Sequence, residues 1–249
     1  MPRFEVIGVE GIPEVRPGDD LARQIAEAAA RQGTMLRGGD LLVVGQKVVS
    51  KAEGRLVSLA EVTPSPAAVR MAAELGRDPR LVEVILRESR RIVRMDRGVL
   101  ITETRHGWVC ANAGVDQSNV ERDWVALLPE DGDRSAQRLR EALRERAGVD
   151  VAVIISDTFG RPWREGLTNV AVGVSGIAPL VSYLGERDPA GHVLQATILA
   201  VADEVAGAAE LVMGKLSRIP VAIVRGLGVA PSEEGSKPLL RDPARDLFR

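Results

Sequence analysis

Cysteine and histidine, the side chains behind most thiol and zinc chemistry, are almost missing from this chain of 249 residues. Cys110 is the only cysteine, and two histidines are present. A single cysteine excludes an internal disulfide and a zinc site built from several cysteines, and it is typical of a protein in the reducing cytoplasm. With so few histidines to activate a thiol, we expect Cys110 to be a small buried residue, with a nucleophilic role as the alternative.

Aromatic residues, excess charge and long apolar runs are lacking as well. Aromatics make up 3% of the chain, and 33 basic and 35 acidic side chains leave a formal charge of −2. This composition argues against a nucleic-acid-binding protein, which needs positive charge and stacking rings. No apolar run approaches the ~20 residues of a membrane-spanning helix, and the charged N-terminal stretch does not resemble a signal peptide. We therefore expect a cytoplasmic protein with neither nucleic acid nor membrane as a partner.

Lysine is rare because arginine supplies most of the positive charge. The only lysines are Lys47, Lys51, Lys215 and Lys237. A compact ammonium and a planar guanidinium are not interchangeable in a site, so these positions are of interest, although chance placement is the alternative. The standard nucleotide motifs are absent, since leucine follows Gly214-Lys215 and the GLGVAP segment lacks the third glycine of a dinucleotide loop. Any nucleotide site must therefore be unconventional.

What the chain does contain is an interleaved series of apolar strands and capped helices. Hydrophobic residues make up 45% of it, enough for a single domain over 1–249 that we expect to hold two sub-lobes. Residues 231–249 are predicted to be a peripheral and partly disordered tail. Several strands follow one another without an intervening helix. We therefore predict a mixed α/β (α+β) fold, two-lobed, with a largely antiparallel sheet and flanking helices.

Periodicity and capping residues predict the individual segments. The predicted strands are 4–11, 38–54, 149–156, 168–176 and 219–228, with a hairpin over 98–114. The predicted helices are 21–33, 65–76, 78–95, 133–148 and the end of 194–214. Asp19 or Asp20 is predicted to cap the first helix, and Ser65 and Asp78, each followed by proline, the next two.

Two polar segments in the first half of the chain are candidate ligand sites. In QKVVSK, Lys47 and Lys51 are predicted to flank the end of a strand, where ammonium groups bind phosphates. The alternative is a pair of solvent-facing lysines at a strand edge. In CANAGVDQSN, the oxygens of Asn112, Asp116 and Asn119 suit a hard cation, and the small neighbours let a ligand approach. The alternative is a loop whose side chains bond to its own backbone.

Two further polar segments lie in the second half. In ISDTFGRPWREG, Asp157 is predicted to stand at a strand end as a magnesium ligand, and Arg161 and Arg164 suit carboxylate or phosphate groups. The alternative is a salt-bridged loop. In ADEVAGAAE, Asp203 and Glu210 fall on one face of a helix, where paired acids are more often solvated or ion-paired than metal-bound. Together the four segments supply the groups that phosphoryl transfer from a nucleotide requires.

Six motifs occur in an order that can be recognised: VEGIPEVRPGDDL, QKVVSKAEGR, CANAGVDQSNV, IISDTFGRPWREG, ADEVAGAAELVMGK and IPVAIVRG. From about Val6 to Gly226, the chain resembles the coenzyme F420:L-glutamate ligase family. The resemblance implies a GTP-dependent ligase that joins L-glutamate to coenzyme F420-0, a deazaflavin, and then adds γ-linked glutamates in coenzyme F420 biosynthesis. It also implies Mg²⁺ or Mn²⁺ as cofactor, help from K⁺, GTP as co-substrate and an intertwined homodimer.

The resemblance further implies particular site residues. Those expected at the nucleotide are Gly11, Ile12, Pro13, Glu14, Gln46, Lys47, Lys51, Asn119, Met213, Gly214 and Lys215. Those expected at the metal are Asp116, Asp157 and Thr158. Many relatives carry an acidic metal ligand where this chain has Lys215. An ammonium cannot bind a cation, so we predict that Lys215 points at a phosphate or at solvent, with a helix C-terminal cation as the alternative.

The expected mechanism follows from amide chemistry. Because a carboxylate is a poor electrophile, we expect GTP to phosphorylate it, and the glutamate amine to attack the resulting acyl phosphate. The residues expected to act in catalysis are Asp157, Lys51, Arg161 and Arg164. The lysines would hold phosphates, and Arg161 or Arg164 a substrate carboxylate, which is an inference from chemistry alone. The alternatives are another nucleotide-dependent acid–amine ligase and a non-catalytic nucleotide-binding regulatory protein.

Overall fold

A computed structural model describes residues 3–246 of the chain. These residues contain twelve strands: β1 (Glu5–Gly8), β2 (Leu41–Gly45), β3 (Leu56–Ser58), β4 (Ser89–Asp96), β5 (Val99–Thr104), β6 (Val109–Ala111), β7 (Trp124–Ala126), β8 (Ala152–Arg161), β9 (Arg164–Ser175), β10 (Val181–Ser182), β11 (Ile198–Leu199) and β12 (Val221–Arg225). They also contain six α-helices: α1 (Leu21–Arg31), α2 (Gln46–Ala52), α3 (Pro66–Leu75), α4 (Pro79–Glu88), α5 (Gly132–Ala147) and α6 (Val201–Met213).

Five strands form the largest sheet, in the order β1-β12-β2-β8-β9. Only β2 and β8 run parallel, and the other neighbours are antiparallel. Three smaller sheets, β4-β5-β6, β3-β7 and β10-β11, are antiparallel throughout. The mixed α/β class with mostly antiparallel pairing is thus confirmed.

Helices cover both faces of the large sheet, which explains why its strands β2 and β12 are apolar at nearly every position. Side chains alternate between the faces of a strand, so Leu42 and Val44 pack with α1 and α5, while Leu41 and Val43 pack with α6. Helix α6 contributes mostly small residues to this contact, and the alanines among them are fully buried. Small side chains let α6 lie close to the sheet.

A second lobe, formed by residues 56–127, has a hydrophobic core of its own. Helices α3 and α4 pack there against β5 and β7, around side chains such as Leu59, Ile85 and Val125. Capping residues define where its helices start. Ser65 and Asp78 accept hydrogen bonds from the first turns of α3 and α4, each with proline following. Such a cap contributes about 1 kcal/mol, and both were predicted.

Other local predictions are also confirmed. Asp20, one of two candidates, caps α1 by accepting from the Arg23 N–H at 2.9 Å. The hairpin predicted over 98–114 is the β5–β6 pair. Cys110 is a buried free thiol, and burial, helped by the charge of Asp157, raises its pKa to about 12, so it lacks the thiolate of a nucleophile.

Two segment predictions are wrong. The strand predicted over 38–54 ends at Gly45, and residues Gln46–Ala52 form α2 instead. Their β-branched valines favour a strand, but burial at helical spacing, with Gln46, Val49 and Ser50 inside, decides the conformation. The helix predicted over 78–95 ends at Glu88. Residues Ser89–Asp96 form strand β4, because pairing with β5 outweighs their helical propensity.

The third correction concerns Asp157, which was predicted to stand at a strand end. Strand β8 continues for four residues beyond it, to Arg161, and returns through a tight hairpin as β9. The C-terminal stretch contains two 3₁₀ turns, and Ser236 within it is buried and donates its backbone N–H to Asp133. Residues 247–249 of the predicted tail lie outside the described range. None of the helices within residues 3–246 has the length and apolar character that a membrane crossing requires.

Candidate active site

A cleft of about 1580 Å³ opens where β2 ends, between the large sheet and the second lobe. Its lining is drawn from segments 12–17, 45–56, 116–124, 156–169 and 210–220. Pockets for one small molecule measure roughly 300–1,000 Å³, so this cleft has room for more than one substrate.

Two lysines project into the cleft from α2. Lys47 and Lys51 are four residues apart, which puts them on one side of the helix. The sequence predicted that they flank the end of a strand, whereas both lie on the helix that begins where β2 ends. The Lys51 ammonium pairs with Glu14 in the loop after β1. The Lys47 ammonium pairs with Asp116, Nζ to Oδ2 at 2.7 Å, and also bonds to Ser118.

The negative charge of Asp116 is compensated by hydrogen bonds and by an ion pair. Its carboxylate accepts from the Ser118 backbone N–H at 2.7 Å and from the Ser118 hydroxyl at 3.0 Å, in addition to its contact with Lys47. Burial by itself would raise the pKa of Asp116, but the hydrogen bonds from Lys47 and Ser118 outweigh it and hold the pKa below its usual value. Asp116 is therefore a carboxylate at neutral pH.

Asp157 is in the opposite situation. Burial raises its pKa to about 6, and the nearby charge of Asp116 adds to this, whereas a hydrogen bond from the Thr158 backbone and the charges of Lys215 and Lys47 oppose the rise. The two carboxylates therefore repel each other within the cleft. A bound cation would relieve both this repulsion and the cost of burying Asp157.

Next to Asp157, four polar side chains form a closed set. The Thr158 hydroxyl donates to Asn169 Oδ1 at 2.7 Å, and Asn169 Nδ2 donates to Glu210 Oε2 at 2.9 Å. The Lys215 ammonium bonds to Thr158 Oγ1 and lies 3.6 Å from Glu210 Oε1. We call these four residues the Thr158 corner.

The structure brings most of the predicted site residues to this one cleft. Those that line it are Ile12, Pro13, Glu14, Gln46, Lys47, Lys51, Asp116, Asn119, Asp157, Thr158, Met213, Gly214 and Lys215. Gly11 is adjacent but does not line it, and its carbonyl accepts from Arg31 at 3.0 Å. Lys215 bonds to the Thr158 corner instead of extending into solvent, although 62% of its side chain is exposed.

Arg161 and Arg164, like Gly11, do not line the cleft, and neither does Asn112, whose Oδ1 accepts from Arg77 at 2.6 Å. The two arginines lie opposite each other in the strand register at the tip of the β8–β9 hairpin, where both are exposed. Arg161 Nη2 donates to the Glu165 carbonyl at 2.9 Å. Their role toward a substrate carboxylate stays a prediction.

Sequence reasoning missed Ser118 and Asn169 and did not assign Glu210 to a site. Asn169 could have been found from the hairpin, since the antiparallel register places it opposite Thr158. Of the two helix acids considered, Glu210 lines the cleft, whereas Asp203 accepts from the Ala171 N–H at 2.8 Å and holds α6 to β9.

The donor set fits a hard divalent cation that keeps ligands from substrate and water. Among residues 3–246 there is no group of three or more His, Cys, Asp or Glu side chains arranged for a metal. Two carboxylates and a hydroxyl, from Asp116, Asp157 and Thr158, are nevertheless a suitable set for Mg²⁺ or Mn²⁺, because Mg²⁺ typically binds one or two carboxylates plus phosphate oxygens and waters.

The fold and the cleft together define a class: a mixed α/β protein with paired lysines and paired aspartates in a cavity large enough for several small substrates. Comparison with known proteins identifies the family. The family model for F420-0:gamma-glutamyl ligase matches residues 11–226, and the chain belongs to this family.

Several curated relatives are similar over nearly their whole length. The chain is 49% identical over 249 residues to coenzyme F420:L-glutamate ligase of Methanothermobacter thermautotrophicus, which covers 99% of each chain. It is 51% identical to the protein of that name from Methanopyrus kandleri, over 97% of each chain. It is 39% identical to that from Methanocaldococcus jannaschii, over 99% of this chain and 97% of the relative.

Proposed function

We propose that this protein is a GTP-dependent ligase of coenzyme F420 biosynthesis, which joins L-glutamate to coenzyme F420-0 and then adds γ-linked glutamates. Its family and the names of its relatives support the ligase reaction. The observation that supports nucleotide-driven chemistry is the meeting of Lys47, Lys51, Asp116 and Asp157 in one cleft.

The chemistry requires that a carboxylate be activated before an amine can attack it. The carboxylate of the acid substrate attacks the γ-phosphorus of GTP, so that GDP leaves and an acyl phosphate forms. The amine of glutamate then attacks the acyl carbon, which releases phosphate and forms the amide. Both steps depend mainly on position and charge neutralisation.

The lysines and the acids exchange partners when substrates bind. Without ligand, the Lys47 ammonium rests on Asp116 and the Lys51 ammonium on Glu14. A triphosphate offers both ammonium groups stronger acceptors, so they turn to it and release the acids. Asp116, Asp157 and Thr158 would then hold Mg²⁺ or Mn²⁺, which supplies neutralisation of phosphate charge.

An apolar rim of the cleft suits the ring of the deazaflavin substrate. Leu167 and Leu216 line the cleft yet are 68% and 95% exposed. Flat aromatic molecules gain free energy by covering such side chains. We expect Leu216→Ser to raise the KM for F420-0 and to leave the KM for GTP unchanged.

One incubation tests the function. The protein is mixed with F420-0, L-glutamate, GTP and Mn²⁺, the products are weighed by mass spectrometry, and each component is omitted in turn. The proposal requires glutamyl adducts and GDP only when all are present. GDP formation with a different acid in place of F420-0 would support another acid–amine ligase. Binding of GTP without turnover would support a regulatory protein.

The homodimer and the K⁺ requirement are proposals that rest on the family resemblance. Light scattering at micromolar concentration should give about twice the 26.7 kDa of one chain. Replacing K⁺ by Na⁺ in the ligase assay should lower the rate. A monomeric mass or equal rates would remove the respective proposal.

A further inference from the structure

The amide of Asn169 connects two residues that face the cleft and is itself buried. Asn169 is 5% exposed and lies on β9 directly opposite Thr158 of β8. Its Oδ1 accepts from the Thr158 hydroxyl at 2.7 Å, and its Nδ2 donates to Glu210 Oε2 at 2.9 Å. Both ends of this amide are therefore engaged.

These two hydrogen bonds determine which group donates and which accepts in the chain from Thr158 through Asn169 to Glu210. A carboxylate oxygen only accepts, so the Asn169 amide must turn its NH₂ group toward Glu210 and its oxygen toward Thr158. The Thr158 hydroxyl has a single hydrogen, and this hydrogen goes to the amide oxygen. What Thr158 presents to the cleft is consequently its lone pairs alone.

A hydroxyl that offers only lone pairs binds cations. In the ligand-free protein the cation is the Lys215 ammonium, which bonds to Thr158 Oγ1 and pairs with Glu210. The Lys215 side chain is 62% exposed and can turn away, which frees the same lone pairs. The orientation of Thr158 does not depend on Lys215, because Asn169 holds the hydrogen from the other side.

We propose that Asn169 is a positioning residue of the ligase reaction, which orients the Thr158 hydroxyl and Glu210 so that this corner of the cleft accepts a cation. Asn169 lies in the wall of the cleft and acts through Thr158, whose hydroxyl hydrogen its Oδ1 accepts. The inference rests on the proposed function only in its link to catalysis, since cation binding can be measured without substrates. Hydrogen bonds of this kind, from residues behind a metal ligand, commonly change metal affinity 10–100-fold.

The test is a double-mutant cycle with Mn²⁺ alone as the probe. The Mn²⁺ dissociation constant of the full-length, substrate-free protein is measured by calorimetry for the unmutated chain, Asn169→Ala, Thr158→Val and the double variant. We expect each single variant to weaken binding about tenfold. In the Thr158→Val background, Asn169→Ala should raise the Mn²⁺ dissociation constant by less than about twofold, because no hydroxyl remains for Asn169 to orient.

Ser175→Ala is the matched control. Ser175 is a buried polar residue of the same strand, and its hydroxyl has no hydrogen-bond partner among residues 3–246. Its removal should leave the dissociation constant unchanged. In the ligase assay, Asn169→Ala should raise the Mn²⁺ concentration for half-maximal rate while kcat at saturating Mn²⁺ stays near that of the unmutated chain, a separation that general loss of structure does not produce.

Several results would overturn the inference: no Mn²⁺ binding by the unmutated chain, unchanged binding in either single variant, an equal loss in Ser175→Ala, or an undiminished effect of Asn169→Ala in the Thr158→Val background. If Asn169→Ala has a lowered melting temperature, Asn169→Ser replaces it in the cycle. Ligase activity of the unmutated chain is assayed separately, so failure of the proposed function is distinguished from failure of this inference.

Discussion

Asp116 and Asp157 line the same cleft, but the protein surrounds them with different partners. Asp116 receives hydrogen bonds from Lys47 and from both polar groups of Ser118, and its pKa is lowered. Asp157 is half-buried, and the loss of solvent outweighs the Thr158 backbone hydrogen bond and the nearby lysines, so its pKa is raised to about 6. The difference indicates that the charge of Asp116 is compensated without a ligand, and we expect Asp157 to gain more than Asp116 from a bound cation.

Removing Asp157, the acid with the raised pKa, should have the largest effect. We expect Asp157→Asn to lower the ligase rate at least about 100-fold, a typical loss for an electrostatic group at a reaction centre. Its melting temperature should equal or exceed that of the unmutated protein, because a charge that is costly to bury is gone. The measurements are turnover and thermal unfolding. A fully active variant would contradict the role of Asp157.

Removing Lys47, the partner of Asp116, should bring the pKa of Asp116 closer to that of Asp157. Lys47→Ala takes away the ammonium that lowers the pKa of Asp116, so this pKa should rise. The KM for GTP should rise about 10-fold or more, since hydrogen bonds to charged groups contribute about 1.5–3 kcal/mol. Lys237→Ala, a change of an exposed lysine outside the cleft, is the control. An equal KM in both variants would exclude Lys47 from phosphate binding.

Lys215 affects the pKa of Asp157 in the way that Lys47 affects the pKa of Asp116. Its charge lowers the pKa of Asp157, so Lys215→Ala should raise that pKa further. The expected loss of stability is below about 1 kcal/mol, as for other exposed ion pairs. If Lys215 turns to a phosphate when GTP binds, the KM for GTP rises several-fold. Unchanged kinetics would leave it as a cation of the loop after α6.

The pH dependence of stability should separate the two acids. Asp157 binds its proton more tightly in the folded state, so its contribution is greatest at low pH and is lost as the pH rises from about 4 through 6. Asp116 does the reverse, and its contribution is lost only as the pH falls below about 4. Urea unfolding of metal-free protein at several pH values checks this. Relative to Asp157→Asn, the unmutated chain should lose stability between pH 4 and 7, and a constant difference would be inconsistent with the raised pKa.

The smallest effect is expected outside the cleft. Arg164→Ala changes an exposed residue at the hairpin tip, so stability should change by less than about 0.5 kcal/mol and the KM for GTP should not change. Binding of a substrate carboxylate by this residue requires a raised KM for glutamate or for F420-0. If both stay constant, the hairpin arginines have no such role.

Short-range features of the chain were predictable because they depend on neighbouring residues. Asp20, Ser65 and Asp78 cap their helices by bonding to a backbone N–H two or three residues away. The apolar strands β2, β8 and β12 are evident from their composition. The candidate segments around Lys47, Asp116 and Asp157 were also visible, since polar groups with small neighbours stand out between apolar runs.

Long-range features were not predictable in the same way. The segment of Lys47 and Lys51 is a helix because burial of Val49 and Gln46 outweighs the strand propensity of its valines. Residues 89–96 form a strand because β5 lies alongside to pair with them. In both places the intrinsic preference is small, and the tertiary contact decides.

By itself, the sequence determined the fold class, the starts of α1, α3 and α4, and the identity of most of the acids and lysines that meet in the cleft. Only the tertiary structure decided that Asp116, and not Asp157, has a lysine as its direct partner. Lys47 and Asp116 are 69 residues apart in the chain (116 − 47) and touch because the second lobe folds back over α2. Asn169 reaches Thr158 and Glu210 through the register of one hairpin and the packing of α6 on it. The pKa of a buried acid depends on these spatial neighbours, and sequence spacing does not contain them.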